Sequence, residues 1–194
     1  MFSKKAYIVA VDGPAGSGKS SVCSACAQDL GWVHVNTGMF YRATALLCLR
    51  NNLNSAQDSN SLLMQAKDLA TNFEWDYKKG LLVLHGEILN DKLNSPQIGK
   101  FASQIASNPK VREALLSAQR NLGLNAPKGA ILDGRDIASI VFPDANLKIF
   151  LTAELSIRAK RRYLQLQKSK SQKDNTENIE DIKKALETRD HFDS

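Results

Sequence analysis

Residues 13–20 read Gly13-Pro14-Ala15-Gly16-Ser17-Gly18-Lys19-Ser20 and meet every fixed position of the pattern G-x-x-x-x-G-K-[ST]. Few folds accept such a loop. Its glycines let successive backbone N–H groups turn inward around an anion, provided that a strand leads into the loop and a helix leaves it. Both flanks fit. Residues 6–11 are a short apolar run rich in β-formers, and the stretch from Lys19 to about Leu30 reads as a helix stopped by Gly31. A plain glycine turn would not need this context. The pattern predicts that Gly13 to Ser21 hold the phosphates of ATP. Lys19 then reaches the β- and γ-phosphates, and the Ser20 hydroxyl ligates Mg²⁺. The loop alone leaves kinase, GTPase, ATPase motor and nucleotide switch open. A small GTPase would also carry a base-reading N-K-x-D, which is absent.

The rest of the chain reads as α/β. Residues 32–35, 130–132 and 147–151 are further apolar strands, with helices expected over 40–50, 97–106, 110–122, 155–167 and 179–189. Strand, glycine loop, helix, strand predicts a mostly parallel sheet between helical layers. A different pattern interrupts it. Phe73, Trp75 and Tyr77 alternate with polar residues, Lys79-Gly80 marks a turn, and 81–85 and 87–89 read as strands. This antiparallel meander predicts a small inserted lobe over 57–96 within one domain spanning 1–194. The helix beginning at Leu155 carries Arg158, Lys160, Arg161 and Arg162, and residues 169–178 are polar and of low complexity. Together, 155–178 read as a basic lid region.

Composition narrows the partners. The formal charge of +6 suits phosphorylated ligands, whereas basic and aromatic residues are not interleaved as an RNA-binding sheet requires. No stable nucleic-acid partner is therefore expected. No apolar run is long enough to span a bilayer, which predicts a cytoplasmic protein; a monomer is also expected. Cys23, Cys26 and Cys48 fit a reducing compartment. Cys23 and Cys26 form a C-x-x-C inside the first helix. With no second such pair and with His34, His85 and His191 scattered, they read as small buried thiols.

A set of short motifs follows the loop in a fixed order: Asn36-Thr-Gly-Met-Phe-Tyr-Arg42, Ala102-Ser-Gln104, Pro109-Lys-Val-Arg112, Asp133-Gly-Arg-Asp136, Val141-Phe-Pro-Asp144 and Arg189-Asp-His-Phe-Asp193. With the glycine loop, this set resembles the bacterial cytidylate kinase family from residue 13 to Ser194. The resemblance implies a three-layer P-loop kinase fold with an inserted acceptor-binding lobe and a basic lid. It implies transfer of the γ-phosphoryl group of ATP to CMP or dCMP, with Mg²⁺. It also implies roles. Thr37 lies near the acceptor phosphate, Arg42 and Arg135 bind that phosphate, and Tyr41 lies on the ribose side. Ser103, Arg112 and Asp136 read cytosine, and Arg189 and Asp193 bind the sugar hydroxyls. Asp133 stands near the transferring phosphate. Lys19, Asp133, Arg158 and Arg162 are the expected catalytic group. The chemistry is consistent: cytosine carries an amino donor where uracil has a carbonyl that Asp136 would repel. The chain departs from the family at Lys92-Leu93, where an Ile-Arg pair is usual, and in ending at Ser194, which makes it look truncated. A kinase for another small acceptor such as UMP, or an inactive nucleotide-binding remnant, remain alternatives.

Overall fold

A computed structural model of the chain describes residues 6–53, 58–169 and 178–193. Four strands form one parallel sheet: β1 (Tyr7–Asp12), β2 (Val33–Asn36), β6 (Gly129–Gly134) and β7 (Leu147–Phe150), in the order β2-β6-β1-β7. The period-2 alternation of the strands sorts two cores. Ala6, Ile8, Ala10, Val33, Val35, Ala130 and Leu132 face one side, and Val9, Val11 and Ile131 face the other.

The second face is closed by α1 (Lys19–Leu30) through Cys23 and Ala27. The first face is covered by α2 (Gly38–Arg50), α3 (Ser59–Asn72), α4 (Pro96–Ile105) and α5 (Pro109–Leu124). The helix starts follow capping chemistry. Asp58, Ser95 and Asn108 accept from the N–H groups of Ser61, Ile98 and Lys110, and Pro96 and Pro109 open their helices. The result is a three-layer α/β fold with a parallel sheet, as expected from the pattern.

Strands β3 (Phe73–Asp76), β4 (Leu81–Leu84) and β5 (Glu87–Ile88) form a separate antiparallel sheet. Its Leu82 and Leu84 belong to the same core as the central strands. Helix α3, which precedes this meander, was not read from the sequence. It buries Leu62, Ala66 and Leu69 at helical spacing. Cys26 is a second correction: it is exposed, while Cys23 and Cys48 are buried. The last helices, α6 (Leu155–Ser169) and α7 (Ile179–Asp193), share a small core of Ala159, Leu166, Ile182 and Leu186. Strand β7 pairs with β1 along one edge, and its Leu147, Ile149 and Phe150 are exposed. No helix among the described residues is long and apolar enough to cross a membrane.

One buried carboxylate ties the strand ends together. Asp12, the last residue of β1, accepts from Ile137 N and Ala138 N, each at 2.8 Å. Those amides open a π-helical turn (Ile137–Val141) immediately after Arg135 and Asp136. Asp12 therefore sets the direction in which the chain leaves β6. Asp12→Ala leaves both amides without a partner and should cost roughly 2–4 kcal/mol of stability. Chemical denaturation would read this as a lowered midpoint at unchanged slope; an unaltered midpoint would remove Asp12 from this role.

Candidate active site

The glycine loop runs between β1 and α1 with backbone geometry that side chains resist. Gly13 has φ +147°, and a Cβ there would lie 2.0 Å from the Leu151 carbonyl oxygen. No side chain caps the start of α1, so its first N–H groups remain for a ligand. The Lys19 ammonium folds back over the loop and donates to Gly13 O at 2.6 Å and Pro14 O at 2.9 Å. From outside, Arg158 Nη1 donates to Ala15 O at 3.2 Å and Arg161 Nη1 to Ser17 O at 2.9 Å. Helix α6 thus lays two guanidinium groups against the loop carbonyls.

Strand β6 delivers Asp133 to the floor of the loop. Its register puts Asp133 opposite Val11 of β1 and Asn36 of β2, where three carboxyl strand ends meet. Ser20 Oγ donates to Asp133 Oδ2 at 2.7 Å, and Asn36 Nδ2 donates to Ser20 Oγ at 2.9 Å. His34 Nε2 lies 2.6 Å from Asp133 Oδ1. The Asp133 carbonyl accepts from Thr37 N at 3.0 Å and Thr37 Oγ1 at 2.9 Å. Behind the loop, burial pushes the Cys23 thiol up to about 12, and the charge of Asp133 adds to the effect. His34 and Asn36 had no role from the sequence. The available signal was only their position at the end of a short apolar strand.

On the other side of β6, Arg112 and Asp136 form an ion pair on the wall of a cavity of about 400 Å³. Tyr41, Glu113 and Gln119 also line this cavity. Burial raises the Tyr41 phenol, Asp136 reinforces the rise, and a hydrogen bond with Gln119 opposes it. Ser103 is on α4, where its hydroxyl donates to Gly99 O at 3.0 Å, and it is not part of this cavity's lining.

The phosphate-type arginines separate into distinct settings. Arg42 Nη1 donates to Leu93 O at 2.8 Å, so the backbone of the departing Lys92-Leu93 pair holds it in place. Burial lowers the pKa of Arg42, and the nearby Arg162 lowers it further. The charge of Arg162 is thus felt at Arg42, and an anion bound near both would offset it. Arg135 is half-buried at the end of β6. Arg158 is buried: its Nη2 pairs with Asp190 Oδ2 at 2.6 Å and its Nε donates to Ala153 O at 2.9 Å. Arg158 and Arg162, grouped by sequence spacing, therefore meet different neighbours, and Arg161 is the second arginine on the loop. The side chains of Arg189 and Asp193 lie outside the described residues.

Comparison with known proteins agrees with this geometry. The family model described as cytidylate kinase matches residues 9–194. A protein of Magnetococcus marinus named cytidylate kinase is 44% identical over 187 residues, covering 95% of this chain and 79% of that one. A protein of the same name from Onion yellows phytoplasma is 40% identical over 189 residues, covering 97% and 80%. Another, from Caldicellulosiruptor bescii, is 38% identical over 176 residues, covering 91% and 76%. A glycine loop, a strand-end carboxylate on its serine and a paired Arg–Asp wall thus occur in a chain that belongs to the cytidylate kinase family.

Proposed function

We propose that this chain transfers the γ-phosphoryl group of ATP to the phosphate of CMP or dCMP, giving ADP and CDP or dCDP. The observation that carries the reading is the Arg112–Asp136 pair in its cavity, three residues along the chain from the carboxylate that holds Ser20. Base reading and phosphate chemistry then sit on the two sides of one strand end. We place this activity in the cytoplasm, which the free thiols suit, in a monomer.

Loop amides from Gly13 to Ser21 and the start of α1 receive the ATP phosphates. Lys19 exchanges the carbonyls of Gly13 and Pro14 for phosphate oxygens. Ser20 gives its hydrogen to Asp133 and accepts from Asn36, which leaves one oxygen lone pair for a cation. That hydroxyl and the Asp133 carboxylate are hard oxygen donors and fit Mg²⁺. When bound, Mg²⁺ neutralises the charge of the β- and γ-phosphates. Arg42, Arg162 and Arg135 hold the acceptor phosphate, with Thr37 at its side. An oxygen of that phosphate attacks the γ-phosphorus, and the bond to the bridging oxygen breaks toward ADP. With a second phosphate pKa of about 6, the attacking oxygen needs no strong base near neutral pH. Rate then comes from alignment and charge neutralisation.

Asp136 accepts from the cytosine amino group, and Arg112 donates to N3 and O2. Ser103, having spent its hydrogen on Gly99 O, keeps lone pairs for the same amino group. Tyr41 flanks the nucleotide. Arg189 and Asp193 take the sugar hydroxyls on the strength of the resemblance.

An acceptor panel of CMP, dCMP, UMP, AMP and GMP tests this reading. The cytosine nucleotides should have the highest kcat/KM, and UMP turnover equal to that of CMP would refute it. Asp136→Asn offers uracil O4 a donor and should shrink the CMP-over-UMP preference by roughly 10–100-fold. An unchanged ratio would exclude Asp136 from base reading.

The arginines of α6 should separate by experiment. Arg162→Ala removes a cation whose charge reaches Arg42 and should lower kcat by about 10²-fold with little effect on folding. Arg158→Ala removes the ion pair with Asp190, leaves a buried gap, and should lower the melting temperature as well. Equal melting temperatures for the two variants would show that the Arg158–Asp190 pair does not brace α6 on α7.

A further inference from the structure

We propose that Cys23, His34 and Asp133 form a site for a thiophilic divalent cation of the zinc type, and that filling it shuts down phosphoryl transfer. Cys23 comes from α1, His34 from β2 and Asp133 from β6. One ligand atom of each, a sulfur, an imidazole nitrogen and a carboxylate oxygen, lies within 4.8 Å of the others. Among the described residues this is the one such group. The shut-down, though not the site, rests on the proposed kinase reading.

The donor chemistry selects the ion. Sulfur, imidazole and carboxylate together suit zinc, whereas magnesium takes oxygen and keeps its water. Charge balance suits burial: one thiolate and one carboxylate offset a divalent ion. Geometry is close. A tetrahedral zinc ion holds such donors roughly 3.3–3.5 Å apart. His34 and Asp133 are at 2.6 Å and need to part slightly, while the sulfur moves inward. Side-chain rotation supplies such shifts. The half-buried His34 gives the ion a way in, since Cys23 and Asp133 are almost fully enclosed. A water molecule completes the fourth position.

Binding has a defined proton balance. Burial and Asp133 keep the Cys23 sulfur protonated in the empty site, so it becomes a thiolate only as the cation arrives and its proton goes to solvent. His34 binds through Nε2 as the neutral tautomer with its hydrogen on Nδ1. Zinc takes Asp133 Oδ1, the oxygen beside His34, while Ser20 stays on Oδ2, so the ion draws charge from the carboxylate that orients the Ser20 hydroxyl. A divalent cation on Ser20 with ATP then meets a carboxylate already neutralised by zinc, so each metal weakens the binding of the other.

Cobalt(II) provides a test that does not depend on turnover. Titrating the full chain with Co²⁺ should give a near-ultraviolet sulfur-to-cobalt absorption, saturating at about one equivalent, with visible bands of tetrahedral intensity. Cys23→Ala should lose the sulfur band, and His34→Gln should change the visible bands. Cys26→Ala, with its exposed position on the same helix, should behave as the wild type. In the CMP assay, Zn²⁺ should inhibit the wild type, and a chelator should restore it. Cys23 touches no reacting atom, so Cys23→Ala should keep its basal turnover and resist zinc by about tenfold or more. Absence of the sulfur band in the wild type, its loss in Cys26→Ala, or equal zinc sensitivity in Cys23→Ala would each overturn the proposal. A cobalt band in a chain that phosphorylates no nucleotide would keep the site and reject the kinase reading.

Discussion

Both carboxylate oxygens of Asp133 are committed, one to Ser20 of the glycine loop and the other to His34 of β2. Its backbone carbonyl takes the amide and hydroxyl of Thr37. One residue at the end of a central strand therefore fixes the loop, the neighbouring strand and the start of α2. A buried carboxylate is costly unless its oxygens are satisfied, and this arrangement satisfies them with groups that phosphate chemistry also uses. The next residues, Gly134 to Asp136, inherit their direction from that anchor and from Asp12. A Cβ on Gly134 would come within 2.6 Å of Thr37 Oγ1, so the tight passage between the two half-sites requires glycine.

Cations are arranged around this anchor in two ways. Those against the loop, Lys19, Arg158 and Arg161, are neutralised by backbone carbonyls or by Asp190. Arg42 feels the like charge of Arg162, while the backbone carbonyl of Leu93 holds Arg42 and the side chain of Gln165 holds Arg162. The first group is held against the loop, and for the second we propose that a phosphate dianion offsets the like charges. Preorganised positive charge of this kind stabilises transferring phosphoryl groups without reorganisation at the moment of reaction.

The glycine loop was legible because all of its chemistry lies in eight consecutive residues. The parallel sheet followed from apolar runs at βα spacing, and the meander from the alternation around Phe73, Trp75 and Tyr77. Helix α3 was missed although Leu62, Ala66 and Leu69 repeat at helical spacing, because the strand signal that follows it dominated the reading of the insertion. Asp12, His34 and Asn36 were missed for a different reason. Their partners are far away in the chain and are reached only through the order β2-β6-β1, which no local pattern contains. Similarly, the i, i+3 and i+4 spacing of Arg158, Arg161 and Arg162 places them on neighbouring faces of a helix. Only the docking of α6 on the loop decides which meets a loop carbonyl and which does not.

We infer that the Asp133 carboxylate organises transfer and does little for ground-state binding. Steady-state kinetics of Asp133→Asn, with equilibrium binding of CMP and ATP measured alongside, test it most directly. The account predicts a kcat lowered by about 10²–10³-fold while both binding constants stay within roughly threefold of the wild type. A variant with near-native kcat, or one whose loss appears wholly as weaker CMP binding, would contradict it.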